Sequence, residues 1–214
     1  VYSATIIGHG PSLKGAGLGK YIDSHDNIIR LTTYLNFQNS SDYGDITHYH
    51  YIPAQYVRYV KYNKDHFWRQ DRGFCKPPIE TWIGWNTQTE NHSQLTNEKR
   101  NEIYQRLKDY QIIMFDRFFT KIRQMYEQLK PEYLAISSGV NAALLAIDRL
   151  RPDIIKMIGF DNTYLGNRDN YQGGESFVPT ANPRSVNHDF KNEKTLLTDF
   201  AKQNGVTVIW EMLN

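Results

Sequence analysis

Cysteine is almost missing from this chain. With Cys75 alone in 214 residues, no internal disulfide can form, which suits a reducing compartment better than a secretory one. No apolar run approaches the roughly 18 residues that a membrane span needs, and no basic segment followed by an apolar stretch opens the N-terminus. Charge of one sign is scarce too. Lys and Arg number 25 against 23 Asp and Glu, a net of +2, too little to demand a polyanionic partner. Internal repeats and low-complexity segments are also absent.

What is present is the composition of one globular domain. Hydrophobic residues make up 40% and charged residues 22%, which excludes wholesale disorder, and the length fits one domain of the usual size of about 100–200 residues. The chain has 15 tyrosines and 4 tryptophans, aromatic surface that suits sugars, bases or protein partners. The sequence starts at Val1 without a methionine, so an upstream anchor or domain could precede it, and any membrane association is expected through such a segment. Asn39-Ser40-Ser41 and Asn91-His92-Ser93 match the N-glycosylation acceptor pattern, a motif short enough to arise by chance.

Patterning points to an α/β fold. Tyr2 to Ile7 reads as a strand stopped by Gly8-His9-Gly10-Pro11-Ser12, and glycine-rich turns after a first strand are where α/β folds place phosphates. Ile28–Leu31 and Thr47–Ile52 are further strand candidates, and Leu95 to Leu129 carries helical spacing at Ile103, Leu107 and Tyr110. Tyr133–Ile136 is expected as a strand, Ser137-Ser138-Gly139 as a turn, and Val140, Ala143, Leu144 and Ile147 as one face of a helix. Ile154–Ile158 and Val206–Trp210 read as strands, with a helix from Asn192 to Asn204 closed by Gly205. The alternation predicts a single Rossmann-like domain over residues 1–214, its mostly parallel sheet covered by helices on both faces. Residues 53–95 are expected to form an acceptor-binding or lid insertion. There, Arg58, Lys61, Lys64, Arg69, Arg72 and Lys76 interleave with Tyr59, Tyr62, Phe67, Trp68 and Phe74. Such a mixture could also hold single-stranded nucleic acid, but an anionic glycan or a solvated lid face ranks first.

Gly8 to Gly15 departs from the known phosphate loops. Leu13 stands where the dinucleotide fingerprint needs its third glycine, and Ala16-Gly17 replaces the Lys-Ser/Thr of a P-loop. The backbone N–H groups of such a loop could face a phosphate, though a plain strand-to-helix turn accounts for the glycines equally well. His48 and His50 share a strand face, yet no nearby carboxylate or cysteine completes a ligand set, so no metal site is expected. Nor does any Asp-x-Asp pair follow a strand to hold a divalent cation beside a diphosphate. His25 reads as a hydrogen-bonding residue at a helix end, and Arg30 as a brace of the sheet edge.

Three stretches in order resemble the sialyltransferases. Gly8-His9-Gly10-Pro11-Ser12-Leu13-Lys14, with Ile22-Asp23-Ser24-His25-Asp26 and Ile28-Ile29-Arg30, is similar to the large sialyl motif of the animal-type enzymes, and its opening resembles the small bacterial ones. Ser137-Ser138-Gly139 with Met157-Ile158-Gly159-Phe160-Asp161 resembles the small motif, and His188 with Glu193 the very small motif, His-x4-Glu. The resemblance implies a variant GT-A fold and inverting, metal-independent transfer of sialic acid or a related keto-acid sugar. The donor would be a CMP-sugar, the acceptor a hydroxyl of a glycan or glycolipid, and no cofactor would be needed. By this resemblance Gly8, His9, Gly10, Ser12, Thr32, Ser137, Ser138, Gly139 and Asp161 would bind the nucleotide. His188 would be the general base, Glu193 a positioning residue, and Tyr164 and Tyr171 phenols able to donate to the leaving phosphate.

Departures accompany the match. His9 replaces a common asparagine, and Arg30-Leu31-Thr32 replaces Arg-x-Asn, which leaves open another nucleotide-sugar donor. A non-catalytic nucleotide-, glycan- or nucleic-acid-binding module is the alternative from another class. Without the cysteine pair of the animal enzymes, a bacterial or phage-like origin is the better expectation, with a location in the cytoplasm or peripheral to the inner membrane.

Overall fold

The computed structural model describes residues 1–8, 10–13, 15–31, 40–53, 79–84, 98, 101, 105, 112–114, 118, 121–122, 124–125, 136–160 and 190–211. In chain order they contain β1 (Ser3–Ile7), a 3-10 turn (Pro11–Leu13), α1 (Gly19–Asp23), β2 (Ile28–Leu31), α2 (Ser40–Tyr43), β3 (Tyr49–Pro53), β4 (Glu80–Gly84) and β5 (Ile112–Met114). After these come α3 (Ser138–Leu150), β6 (Ile154–Ile158), α4 (Phe190–Gln203) and β7 (Thr207–Glu211).

All seven strands lie in one sheet of order β5-β4-β3-β2-β1-β6-β7, and every pairing is parallel. The order runs outward from β1 in one direction, then restarts on its other side at β6. Because parallel crossovers are right-handed, this reversal sends connections to opposite faces of the sheet. Accordingly α1 packs with Ile7, Leu13, Ile28, Tyr43 and Ile158 on one face, through Ile22. Ala4, Ile6, Ile29, Leu31, Tyr51, Ile155 and Met157 bury the other face against α3 and α4. Alternate residues of each strand thus serve alternate faces.

The helices follow their apolar stripes. Val140, Ala143, Leu144 and Ile147 are all buried, as are Leu196, Leu197, Phe200 and Ala201 of α4. Arg151 ends α3 with φ of 49°, and Gly205 follows α4 with φ of 71°. Left-handed residues there stop the helices and turn the chain into β6 and β7.

Three expectations are corrected. The helical reading of 95–129 is broken by β5, whose Thr81↔Ile112 and Ile83↔Met114 registers extend the sheet; a three-residue strand is too short for a period to reveal. β4 lies inside the span expected as an insertion, and all five of its residues are buried, so that part of 53–95 is core. Ile136 belongs to no strand, while 133–135 lie outside the described residues; the peptide of Ile136 serves the start of α3 instead. The whole of the basic aromatic segment, Arg58 to Lys76, lies outside the described residues.

Candidate functional site

The sheet reverses its order between β1 and β6, and in open α/β sheets ligands bind beyond the carboxyl ends of the strands at that point. Gly8 and Gly10 stand there. Gly8 N–H donates to Ile158 O at 2.8 Å and Gly10 N–H to Gly159 O at 2.7 Å. Those two donors are therefore spent on holding the β1 and β6 ends together, and an N–H cradle from them, as the sequence suggested, is ruled out. What the glycines provide is closeness, since a Cβ on Gly8 would strike the Gly159 carbonyl. Leu13, fully buried, packs on Gly159, whose φ is 75°. Its place in the motif is a core position. Ser12 sits in the 3-10 turn above it.

The second half of the glycine loop is also tied down. Gly15 N–H and Gly17 N–H donate to the two carboxylate oxygens of Asp42, at 2.7 and 2.9 Å, and Asp42 is buried. Sequence reasoning missed Asp42, because no motif contains it; only its burial shows the role.

The charged residues of the large motif act as braces. Arg30 is buried and donates to Tyr43 O at 2.6 Å and Ile46 O at 3.0 Å. Asp23 accepts from Asp45 N–H at 2.8 Å and Ile46 N–H at 2.9 Å, with Arg30 Nη2 at 3.8 Å. Arg30 thus braces the segment after α2, from a strand inside the sheet and not at its edge. His25 closes α1 through Nδ1, 2.9 Å from Tyr21 O and 3.1 Å from Ile22 O. With Nδ1 donating, Nε2 accepts from Lys156 Nζ at 3.0 Å, which ties α1 to β6. Glu211 takes the Tyr21 hydroxyl at 2.9 Å; burial first, and then this carboxylate, push the phenol pKa up.

Opposite the glycines stands the start of α3. Ser137 has the extended backbone of an N-cap, φ −61° and ψ 153°, but makes no capping hydrogen bond. Its hydroxyl instead donates to Glu193 Oε2 at 2.5 Å, and Glu193 is fully buried in the first turn of α4. The first-turn N–H groups of α3 are consequently left without the side-chain acceptor that a serine there usually supplies. With the helix dipole they favour an anion. Gly139 packs against Phe160, on whose ring a Cβ would fall. Ser137, Ser138, Gly139 and Gly8 therefore meet at one edge, with Phe160 between the helix and β6.

Other expected residues stand apart or unseen. His48 precedes β3 and accepts the Ile28 N–H through Nδ1 at 3.0 Å, and burial holds its pKa down. His50 is buried within β3. His9, Thr32, Asp161, Tyr164, Tyr171 and His188 lie outside the described residues. In sequence, His9 separates the two site glycines, Thr32 follows β2, Asp161 follows Phe160, and His188 precedes α4 by two residues.

Residues 3–205 match the family described as Glycosyltransferase family 29 (sialyltransferase). The chain belongs to this family. It is accordingly a glycosyltransferase, and the motif resemblance is shown. No curated protein matches the sequence. Among solved structures, a mammalian sialyltransferase in complex with Gal-beta-1-3GalNAc-ortho-nitrophenol superposes with TM-score 0.61 at 14% identity, over 97% of this chain and 69% of that one. The sialyltransferase CstII from Campylobacter jejuni, in complex with the substrate analogue cytidine-5'-monophosphate, gives 0.59 at 16% identity, over 98% and 79%. A CST-II variant in complex with CMP gives 0.63 at 17%, over 97% and 80%. Identities this low carry the fold, which is the Rossmann-like sheet of the GT-A-like sialyltransferases.

Proposed function

We propose that this sialyltransferase-family enzyme moves sialic acid or a related keto-acid sugar from a CMP-sugar to a glycan or glycolipid hydroxyl. Transfer would invert the anomeric centre and use no metal ion. The observation that carries the reading is the uncapped start of α3, at the edge where β1 and β6 end. Its N–H groups suit the phosphate or carboxylate of such a donor, and the CMP bound to the Campylobacter jejuni neighbour supports cytidine as the base.

In this reading His188 takes the proton of the acceptor hydroxyl as the oxygen attacks the anomeric carbon. The bond from that carbon to the phosphate oxygen breaks on the opposite side, and CMP leaves as a phosphate monoester. Tyr164 and Tyr171 donate hydrogen bonds to the charge gathering there, stabilisation that is stronger in the transition state than in the ground state. Gly8, His9, Gly10, Ser12, Thr32 and Asp161 surround the nucleotide with Ser137, Ser138 and Gly139, and Glu193 positions Ser137. The span around 53–95, apart from β4, contributes acceptor surface. In this reading the enzyme acts in the cytoplasm or peripheral to the inner membrane.

Thermal shift with a nucleotide panel tests the donor, since a ligand of the native state stabilises it in proportion to RT ln(1 + [L]/Kd). CMP and CDP should raise Tm more than UMP, GMP or AMP. A shift with UDP or GDP and none with cytidine nucleotides would replace the donor by another nucleotide-sugar, the alternative that His9 and Thr32 raise. Turnover should persist in EDTA; its loss, restored by magnesium or manganese, would overturn the metal-free mechanism.

A further inference from the structure

Asn141 is an amide in an apolar setting. It lies on the face of α3 that packs into the core and is buried, where Ala142, Ala143, Leu144 and Leu145 are its fully buried neighbours. Its Nδ2 reaches back past the start of the helix to donate to Ile136 O at 3.1 Å. Beside the amide lies Tyr51, completely buried on β3, whose pKa burial drives far upward, while Asn141 Oδ1 makes no hydrogen bond among the described residues. Gly84, at the end of β4, leaves the space the Tyr51 hydroxyl occupies, for a Cβ there would fall on it. The amide thus contributes nothing to the apolar core, and its one hydrogen bond among the described residues goes to the peptide that leads into α3.

Burying such a group costs free energy unless its hydrogen bonds are made, so a leucine would serve the core better. The return lies in the Ile136–Ser137 peptide. That peptide is trans, so its carbonyl and N–H point in opposite directions. With Ile136 O drawn inward to Asn141, Ser137 N–H faces away from the core. The Ser137 hydroxyl is fixed independently by Glu193.

We propose that Asn141 is a positioning residue for the donor subsite, acting through the Ile136–Ser137 peptide, which its amide holds by one hydrogen bond. The inference rests on the CMP-sugar reading and adds to it a residue that touches no ligand. Asn141 orients the peptide, Glu193 orients the hydroxyl, and together they set the rim of the anion-binding turn before any ligand arrives.

The test is Asn141→Leu, of similar volume but without a donor, with CMP titrated calorimetrically at a temperature where circular dichroism shows the protein fully folded. Should that variant fail to fold, Asn141→Ser, too short to reach Ile136, takes its place. CMP should bind about tenfold more weakly, the scale of one net hydrogen bond. The Ser137 amide resonance should move while that of Ile147, further along α3, stays. A lower Tm with unchanged CMP affinity and an unmoved Ser137 resonance would overturn the inference and leave Asn141 a structural residue. If the unaltered enzyme does not bind CMP, the donor reading has failed, and the Ser137 resonance alone decides the role of Asn141.

Discussion

Ser137, at the threshold of α3, gives its hydroxyl to the buried carboxylate of Glu193 on α4, at 2.5 Å. The glutamate of the very small motif therefore meets the small motif directly, 56 residues away in sequence. An N-cap serine turned from its own helix leaves that helix start for something else to fill.

This pair should be energetically coupled. Ser137→Ala leaves a buried carboxylate short of a donor and should destabilise the fold by about 1–3 kcal/mol. In a Glu193→Gln background the same change should cost less, because a neutral amide suffers less from losing that donor. A urea-denaturation double-mutant cycle measures the difference; a coupling energy indistinguishable from zero would mean that the short contact has no energetic weight.

His48 should make the protein acid-sensitive. Burial is the first cause of its lowered pKa, from 6.5, and its Nδ1 must stay unprotonated to accept the Ile28 N–H. The folded state therefore binds its proton less readily than the unfolded chain. The stability this confers is complete above about pH 6.5 and is lost as pH falls from there through the lower folded value. Replacing His48 by Asn, whose amide oxygen can accept the same N–H, should flatten stability over that window in denaturation at several pH values. An unchanged slope would assign the acid sensitivity to other groups.

His188→Ala should separate chemistry from binding. If the imidazole takes the acceptor proton, turnover should fall on the order of 10²–10⁴-fold, the usual scale of general-base catalysis, while CMP affinity barely changes. Steady-state rates and a CMP titration on the same preparation decide it. Normal turnover would remove His188 from the mechanism, and joint loss of binding and turnover would give it a structural role.

Much of this was legible in the sequence. The strands that meet at β1 and β6 are apolar runs ended by Gly8 and Gly159, and α3 and α4 carry clean helical stripes, so local pattern and tertiary packing agree. β4 and β5 were not legible because each is a short run inside a long aromatic and charged stretch, and only pairing defines them, β4 with β3 and β5 with β4. The motif residues that the structure describes gather at one edge of the sheet, with hydrogen bonds other than those the sequence suggested. The loop glycines suggested an N–H cradle, whereas their N–H groups serve β6 and Asp42. Asp42 and Asn141 left no trace in the sequence, because a buried polar residue is recognised by its surroundings, and sequence gives only its identity.

The two site glycines should respond differently to alanine. A Cβ on Gly8 meets first the backbone carbonyl of Gly159 and the carbon behind it, and then the Phe160 ring at 3.1 Å; the backbone atoms are fixed by the β1–β6 pairing of Ile7 with Ile158. Relief there requires the strand ends to separate, which would break the Gly8 N–H bond to Ile158 O. A Cβ on Gly139 meets only the ring of Phe160, which rests edge-on against Trp210 with centroids 6.1 Å apart. A side chain can turn where a backbone cannot. Gly139→Ala should therefore cost about 1–3 kcal/mol, the range for overpacking, and Gly8→Ala more. The added substitution Phe160→Leu should recover a larger part of the loss in Gly139→Ala than in Gly8→Ala, where the backbone clash with Gly159 remains, as read by urea midpoints. Equal rescue of both, or of neither, would show that Phe160 is not what makes Gly139 a glycine.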